Sequence, residues 1–104
     1  MTDPGSQLSR LLAWMATREF SEIETSGLLQ EVEEIVVSSH RRLYEAERRA
    51  WSPPVAYRWL RYEDPQPVAR LSDGVRRLRS RGAEFDRPAV EKALEKASAD
   101  GFSN

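Results

Sequence analysis

Residues 22–51 read EIETSGLLQEVEEIVVSSHRRLYEAERRAW. Within them Leu28, Val32, Ile35, Leu43, Ala46 and Ala50 recur at spacings of three and four, with Ser39 filling the one gap. That spacing lays an apolar stripe along one face of a helix. At 1.5 Å per residue the helix would run roughly 40 Å, more than any other segment of the chain can cover alone. Ile35-Val36-Val37 is the one β-branched cluster worth naming, and it falls inside this helical pattern. Ser21 with Glu24 three positions later reads as a capping box, while Thr25-Ser26-Gly27 offers a later start for the same helix. Either the shorter helices lie along the stripe in succession, or a second copy of the chain packs against it.

Helix punctuation continues on both sides. Asp3-Pro4, Ser52-Pro53 and Asp64-Pro65 each set a capping residue before a proline at the first helical position, and Asp86-Arg87-Pro88 is a looser version. Gly82 and Gly101 sit where C-terminal glycines belong. These signals predict helices over 4–19, 22–51, 53–62, 66–81 and 87–99, with residues 99–104 as a frayed tail. Candidate core positions are Leu8, Leu11, Leu12 and Met15 in the first helix, Val68, Leu71, Val75 and Leu78 in the fourth, and Val90 and Leu94 in the fifth. Internal repeats and low-complexity tracts are absent.

The chain of 104 residues therefore reads as one all-α domain spanning 1–104, with a long central helix and about four shorter helices packed around it. Leu, Ile, Val and Phe number 22, barely a fifth of the residues, and 11 of the apolar residues are alanines. A supply this thin leaves a small margin of stability, and self-association enlarges a thin core, so a homodimeric bundle is expected. No apolar run approaches the roughly 20 residues of a membrane span, and no signal-peptide pattern opens the chain, so the expectation is a cytoplasmic protein with no membrane contact.

Several chemistries are excluded on residue content. The chain has no cysteine, which removes thiol catalysis and thiolate metal sites. His40 is the only histidine, and Val37 rather than a glutamate lies three residues before it, so no Glu-x-x-His metal motif exists. The five glycines are scattered singly and form no phosphate loop. Glu33 and Glu34 are adjacent on a helix and point to different sides. The expectation is a protein without catalysis, metal or cofactor.

Charge is distributed unevenly. Residues 1–39 carry Arg10 and Arg18 against seven acids, residues 40–81 carry eleven arginines against five acids, and residues 82–104 carry three bases against five acids. Such segments can neutralise one another by packing side by side, or they can reserve a basic surface for an anionic partner. Arg41, Arg42, Arg48 and Arg49 surround Glu45 at offsets of three and four, the pattern of a solvated, self-neutralised helix face.

The most unusual stretch is Trp51-Ser52-Pro53-Pro54-Val55-Ala56-Tyr57-Arg58-Trp59-Leu60-Arg61-Tyr62, with four of the nine aromatic residues interleaved with two arginines. On a short helix Val55, Trp59 and Tyr62 share one side while Tyr57 and Arg61 share another, and both sides cannot be buried in so small a protein. Aromatic and arginine side chains together are favoured at binding hot spots; the other reading is that Trp51 and Trp59 close one end of the core. Arg70, Arg77 and Arg81 fall together, opposite the apolar stripe of Val68, Leu71, Val75 and Leu78 in the fourth helix. The partner-binding candidates are therefore Trp51, Tyr57, Arg58, Trp59, Arg61, Tyr62, Arg70, Arg77 and Arg81, offered to a protein partner with an acidic surface. The rival expectation is a DNA- or RNA-binding regulator using a helix-turn-helix-like pair at 53–81. Glu63 and Asp64 in its turn, and a pI near 5.9, weigh against it.

Overall fold

A computed structural model of the chain describes residues 3–46 and 66–103. Among those residues the protein is all-helical, with five helices: α1 (Pro4–Met15), α2 (Phe20–Thr25), α3 (Leu28–Ala46), α4 (Pro67–Ser80) and α5 (Arg87–Ala99). The sequence segment 53–62, and the continuation of 22–51 past Ala46, lie outside the described residues.

α1 starts where its cap predicts. The Asp3 carboxylate accepts from the Ser6 amide at 2.9 Å and from Ser6 Oγ at 3.0 Å, and Pro4 fills the first turn. It stops four residues earlier than the expected 4–19. Thr17 Oγ donates to the Trp14 carbonyl at 2.7 Å and the Arg18 amide to the Met15 carbonyl at 3.1 Å. A hydroxyl that bonds the preceding turn takes a carbonyl the helix would need to continue.

The expected helix over 22–51 is divided. Gly27 adopts φ 80°, a left-handed conformation that ends α2, and α3 begins at Leu28, the later of the two starts open to the sequence. The capping box at Ser21–Glu24 does not form, because both residues lie inside α2, whose N-cap is Glu19 in extended conformation. Ser26 serves the junction instead. Its Oγ donates to the Ile23 carbonyl at 3.0 Å and accepts from the Leu28 amide at 3.3 Å. The division turns Ile23 into the core and leaves Phe20 44% exposed.

The main packing pairs are α1 with α4 and α5, α3 with α4 and α5, and α2 on α3. The first and third helices are thus bridged by the last two. Leu8, Leu11, Leu12 and Met15 of α1, Leu28, Val32 and Ile35 of α3, and Leu71, Val75 and Leu78 of α4 are buried, as their spacing requires. So are Val90 and Leu94 of α5; Val68 and Leu43 are only half-buried. Each fully buried leucine contributes about 1.5–3 kcal/mol relative to an exposed one. Ser39, the gap in the α3 stripe, is fully buried, and its hydroxyl donates to the Ile35 carbonyl at 2.8 Å within its own helix. Ile35 is covered inside a single chain, so this part of the stripe needs no second copy.

At the C-terminal end the expected frayed tail over 99–104 is corrected for the described residues 99–103. Gly101 at φ 107° reverses the chain, and the Phe102 amide donates to the Ala97 carbonyl at 3.0 Å. Phe102 is then 7% exposed, its ring edge-on to Trp14 with centroids 5.6 Å apart. Gly82, at φ 76°, ends α4 in the same manner, with the Ala83 amide on the Leu78 carbonyl at 3.0 Å. Replacing Phe102 with alanine is expected to cost about 3 kcal/mol in chemical denaturation, the loss typical of a buried phenylalanine; a change within about 0.5 kcal/mol, the value for a surface residue, would return residues 99–104 to a frayed tail.

Candidate functional site

Six of the nine candidate residues, Trp51, Tyr57, Arg58, Trp59, Arg61 and Tyr62, lie outside the described residues. The other three are brought together. Arg70 and Arg77 lie on α4 and Arg81 caps it, all exposed. At about 100° per residue they fall on one flank of the helix, beside the buried face of Leu71, Val75 and Leu78. Their register is set by that burial: Leu71 and Leu78 cannot be in the core without placing residues 70, 77 and 81 at its edge.

Asp73 sits among these arginines. Its carboxylate is bonded by Arg77 Nη2 at 2.9 Å and by the guanidinium of Arg76. Both arginine side chains remain more than three-quarters exposed, so the pairs add little stability but fix where the two cations point. Arg79 differs from its neighbours. Its stem crosses Gly5, where an added Cβ would lie 3.2 Å from the Arg79 chain, and its guanidinium donates to Ser6 Oγ at 3.0 Å and Ser9 Oγ at 3.3 Å. Asp3 Oδ2 lies 3.8 Å away. The Ser6 amide foremost, and the Arg79 guanidinium to a smaller degree, hold the Asp3 carboxyl below its usual range. Arg79 is therefore a tie between α1 and α4.

The basic row ends at a second cluster. Arg42 Nη2 donates to the Glu84 carbonyl at 3.2 Å, joining α3 to the link after α4. His40 lies close enough to Arg81 that, after the effect of its own burial, the guanidinium lowers the imidazole pKa from its usual 6.5. Among the described residues no group of His, Asp and Glu is placed to hold a metal ion, and no helix is long and apolar enough to cross a membrane.

A separate feature had no signal in the sequence pattern. Past the C-terminal end of α1 a cleft of about 500 Å³ opens between Trp14, Arg18, α2, the start of α3 and Asp100. Of the apolar residues around it only Trp14 is part-exposed, Ile23 and Leu28 being buried in the core. The Arg18 guanidinium lies 5.4 Å from the centroid of the Trp14 ring and pairs with Glu22 at 3.1 Å. A smaller cleft between α3 and α5 is lined in part by Glu31, Glu34, Asp86 and Lys92. Asp86 accepts from the Ala89 amide there, and Glu31 pairs with Lys96 at 3.7 Å.

No family model, curated protein or solved structure matches the chain.

The lowered His40 pKa has a defined consequence for stability. The unfolded chain takes up a proton near pH 6.5 and the folded protein only at lower pH, so stability falls as pH drops below about 6.5 and the contribution is constant above it. Asp3 acts in the carboxylate range, below this window. An NMR titration of His40 is expected to give a pKa under 6.5 that rises in Arg81→Ala; a value at or above 6.5 in the native protein would contradict this placement.

Proposed function

We propose that this chain is a cytoplasmic, non-catalytic protein-interaction module that docks an acidic protein surface through the arginines of α4 and the aromatic segment 51–62. The observation that carries it is the row Arg70, Arg77 and Arg81, exposed on the flank of a helix held in the core by Leu71, Val75 and Leu78. A guanidinium fork on an anchored helix loses little freedom when it grips a carboxylate. The DNA- or RNA-binding reading has less support. Glu63 and Asp64, which precede α4 in the sequence, and a pI near 5.9 weigh against it.

Self-association belongs to the same proposal. The stripe is buried within the chain at Ile35 but only half-buried at Leu43, and in sequence it continues through Ala46 and Ala50. We place pairing of two copies as a homodimer, on a long central helix, at that end of α3.

A native-lysate pull-down with and without nuclease, read by mass spectrometry, tests the proposal together with sedimentation of the purified chain. Capture is expected to survive nuclease and to drop in the folded double variant Arg70→Ala/Arg77→Ala, and further in folded Trp59→Ala and Tyr62→Ala. Sedimentation is expected to give twice 11.9 kDa. Capture abolished by nuclease, with duplex DNA bound at a salt slope near 0.9 per phosphate, would instead establish the nucleic-acid reading. A mass of 11.9 kDa at high concentration would remove the dimer.

A further inference from the structure

The cleft beyond α1 is the size of a small-ligand site, and its chemistry is specific. Trp14 supplies an aromatic face, and a guanidinium already lies over it: Arg18, 5.4 Å from the ring centroid and paired with Glu22 at 3.1 Å. Trp14 also packs against buried Phe102 in a T-shaped pair, centroids 5.6 Å apart. The cleft is lined by two acids, Glu22 and Asp100, with Lys96 of α5 beside Gly27 and paired with Glu31 at 3.7 Å. α5 ends at Asp100, an acid at the helix terminus that disfavours one, and this carboxylate lines the same cleft. The N-terminus of α3 acts in the opposite sense, but its Leu28 amide is already taken by Ser26 Oγ, and Glu31 lies in its first turn.

We propose that this cleft binds an alkyl-guanidinium group, an arginine supplied from outside the chain. The incoming group takes the place of Arg18 on Trp14 and pairs with Glu22 and Asp100. Arg18 is its intramolecular stand-in: exposed, held by one cation–π contact and one surface ion pair, and therefore cheaply displaced. Asp100, which has no favourable place in the helix, gains one as the second carboxylate for a guanidinium. The site is distinct from the α4 row and opposite to it in charge preference.

The test follows the assigned indole resonance of Trp14 by NMR while capped arginine amide is added. In the native protein a saturable shift is expected. In Arg18→Ala, first shown to fold by circular dichroism, binding is expected to tighten about two- to fivefold, because the seat is empty. Asp100→Asn is expected to weaken binding in either background, and this variant with the native titration carries the test if Arg18→Ala does not fold. Capped citrulline, the neutral isostere, is expected to cause no saturable shift. Free arginine distinguishes the source: weaker binding than the capped form assigns the site to an arginine within a polypeptide, since its own carboxylate meets Glu22 and Asp100, and tighter binding assigns it to the free amino acid. The absence of a saturable shift with arginine in both native protein and Arg18→Ala, or equal binding of citrulline, would overturn the proposal.

Discussion

The packing of α1 onto two helices more than fifty residues later in the chain is the contact on which the rest of the fold depends. Leu8, Leu11, Leu12 and Met15 are wholly inaccessible to solvent, and the surfaces that cover them belong mainly to α4 and α5. α3 meets the same two helices from its own side. Bringing the first helix back across so long a loop costs closure entropy before any contact repays it. The return is a four-residue apolar stripe together with the Arg79 tie over Gly5. Once α1 is seated, Leu71, Val75 and Leu78 face inward, and the flank that carries Arg70, Arg77 and Arg81 has only one direction left.

Arg77 and Arg79 show how closely a binding candidate and a structural residue can resemble each other in sequence. They lie two positions apart on one helix, and neither spacing nor composition separates them. The helix turns about 200° between them. One therefore faces solvent with Asp73, while the other lies along α1 against Ser6 and Ser9. The two ends of α1 also differ in character. Near its start Arg79 is drawn in by Asp3 and two serine hydroxyls; beyond its end Trp14, Arg18, Glu22 and Asp100 line an open cleft.

What was legible in the sequence is what short-range chemistry determines. Asp3 and Asp86 cap as their positions before proline indicate, Gly82 and Gly101 terminate helices in left-handed conformation, and the spacing of three and four identifies the buried stripes. The errors share a cause, since each was decided by a competing bond or a distant contact. Thr17 ended α1 by bonding Trp14, and Ser26 rather than Ser21 made the junction before α3. Phe102 was read as tail because its partner, Trp14, is 88 residues away in sequence. The same distance hid the cleft. Of the nine candidate residues, the three arginines of α4 are exposed on one flank beside the buried face rather than opposite it, and the segment 51–62 lies outside the described residues.

Native-state hydrogen exchange tests most directly the claim that α1 closes the core. The amides of Leu11, Leu12 and Met15 are expected to exchange with the same opening free energy as those of Val75 and Leu78 in α4 and Leu94 in α5, because none of these helices can stay folded once the shared core opens. Amides of Leu11, Leu12 and Met15 that exchange through a separate, lower-energy opening, while those of α4 and α5 remain protected, would contradict it.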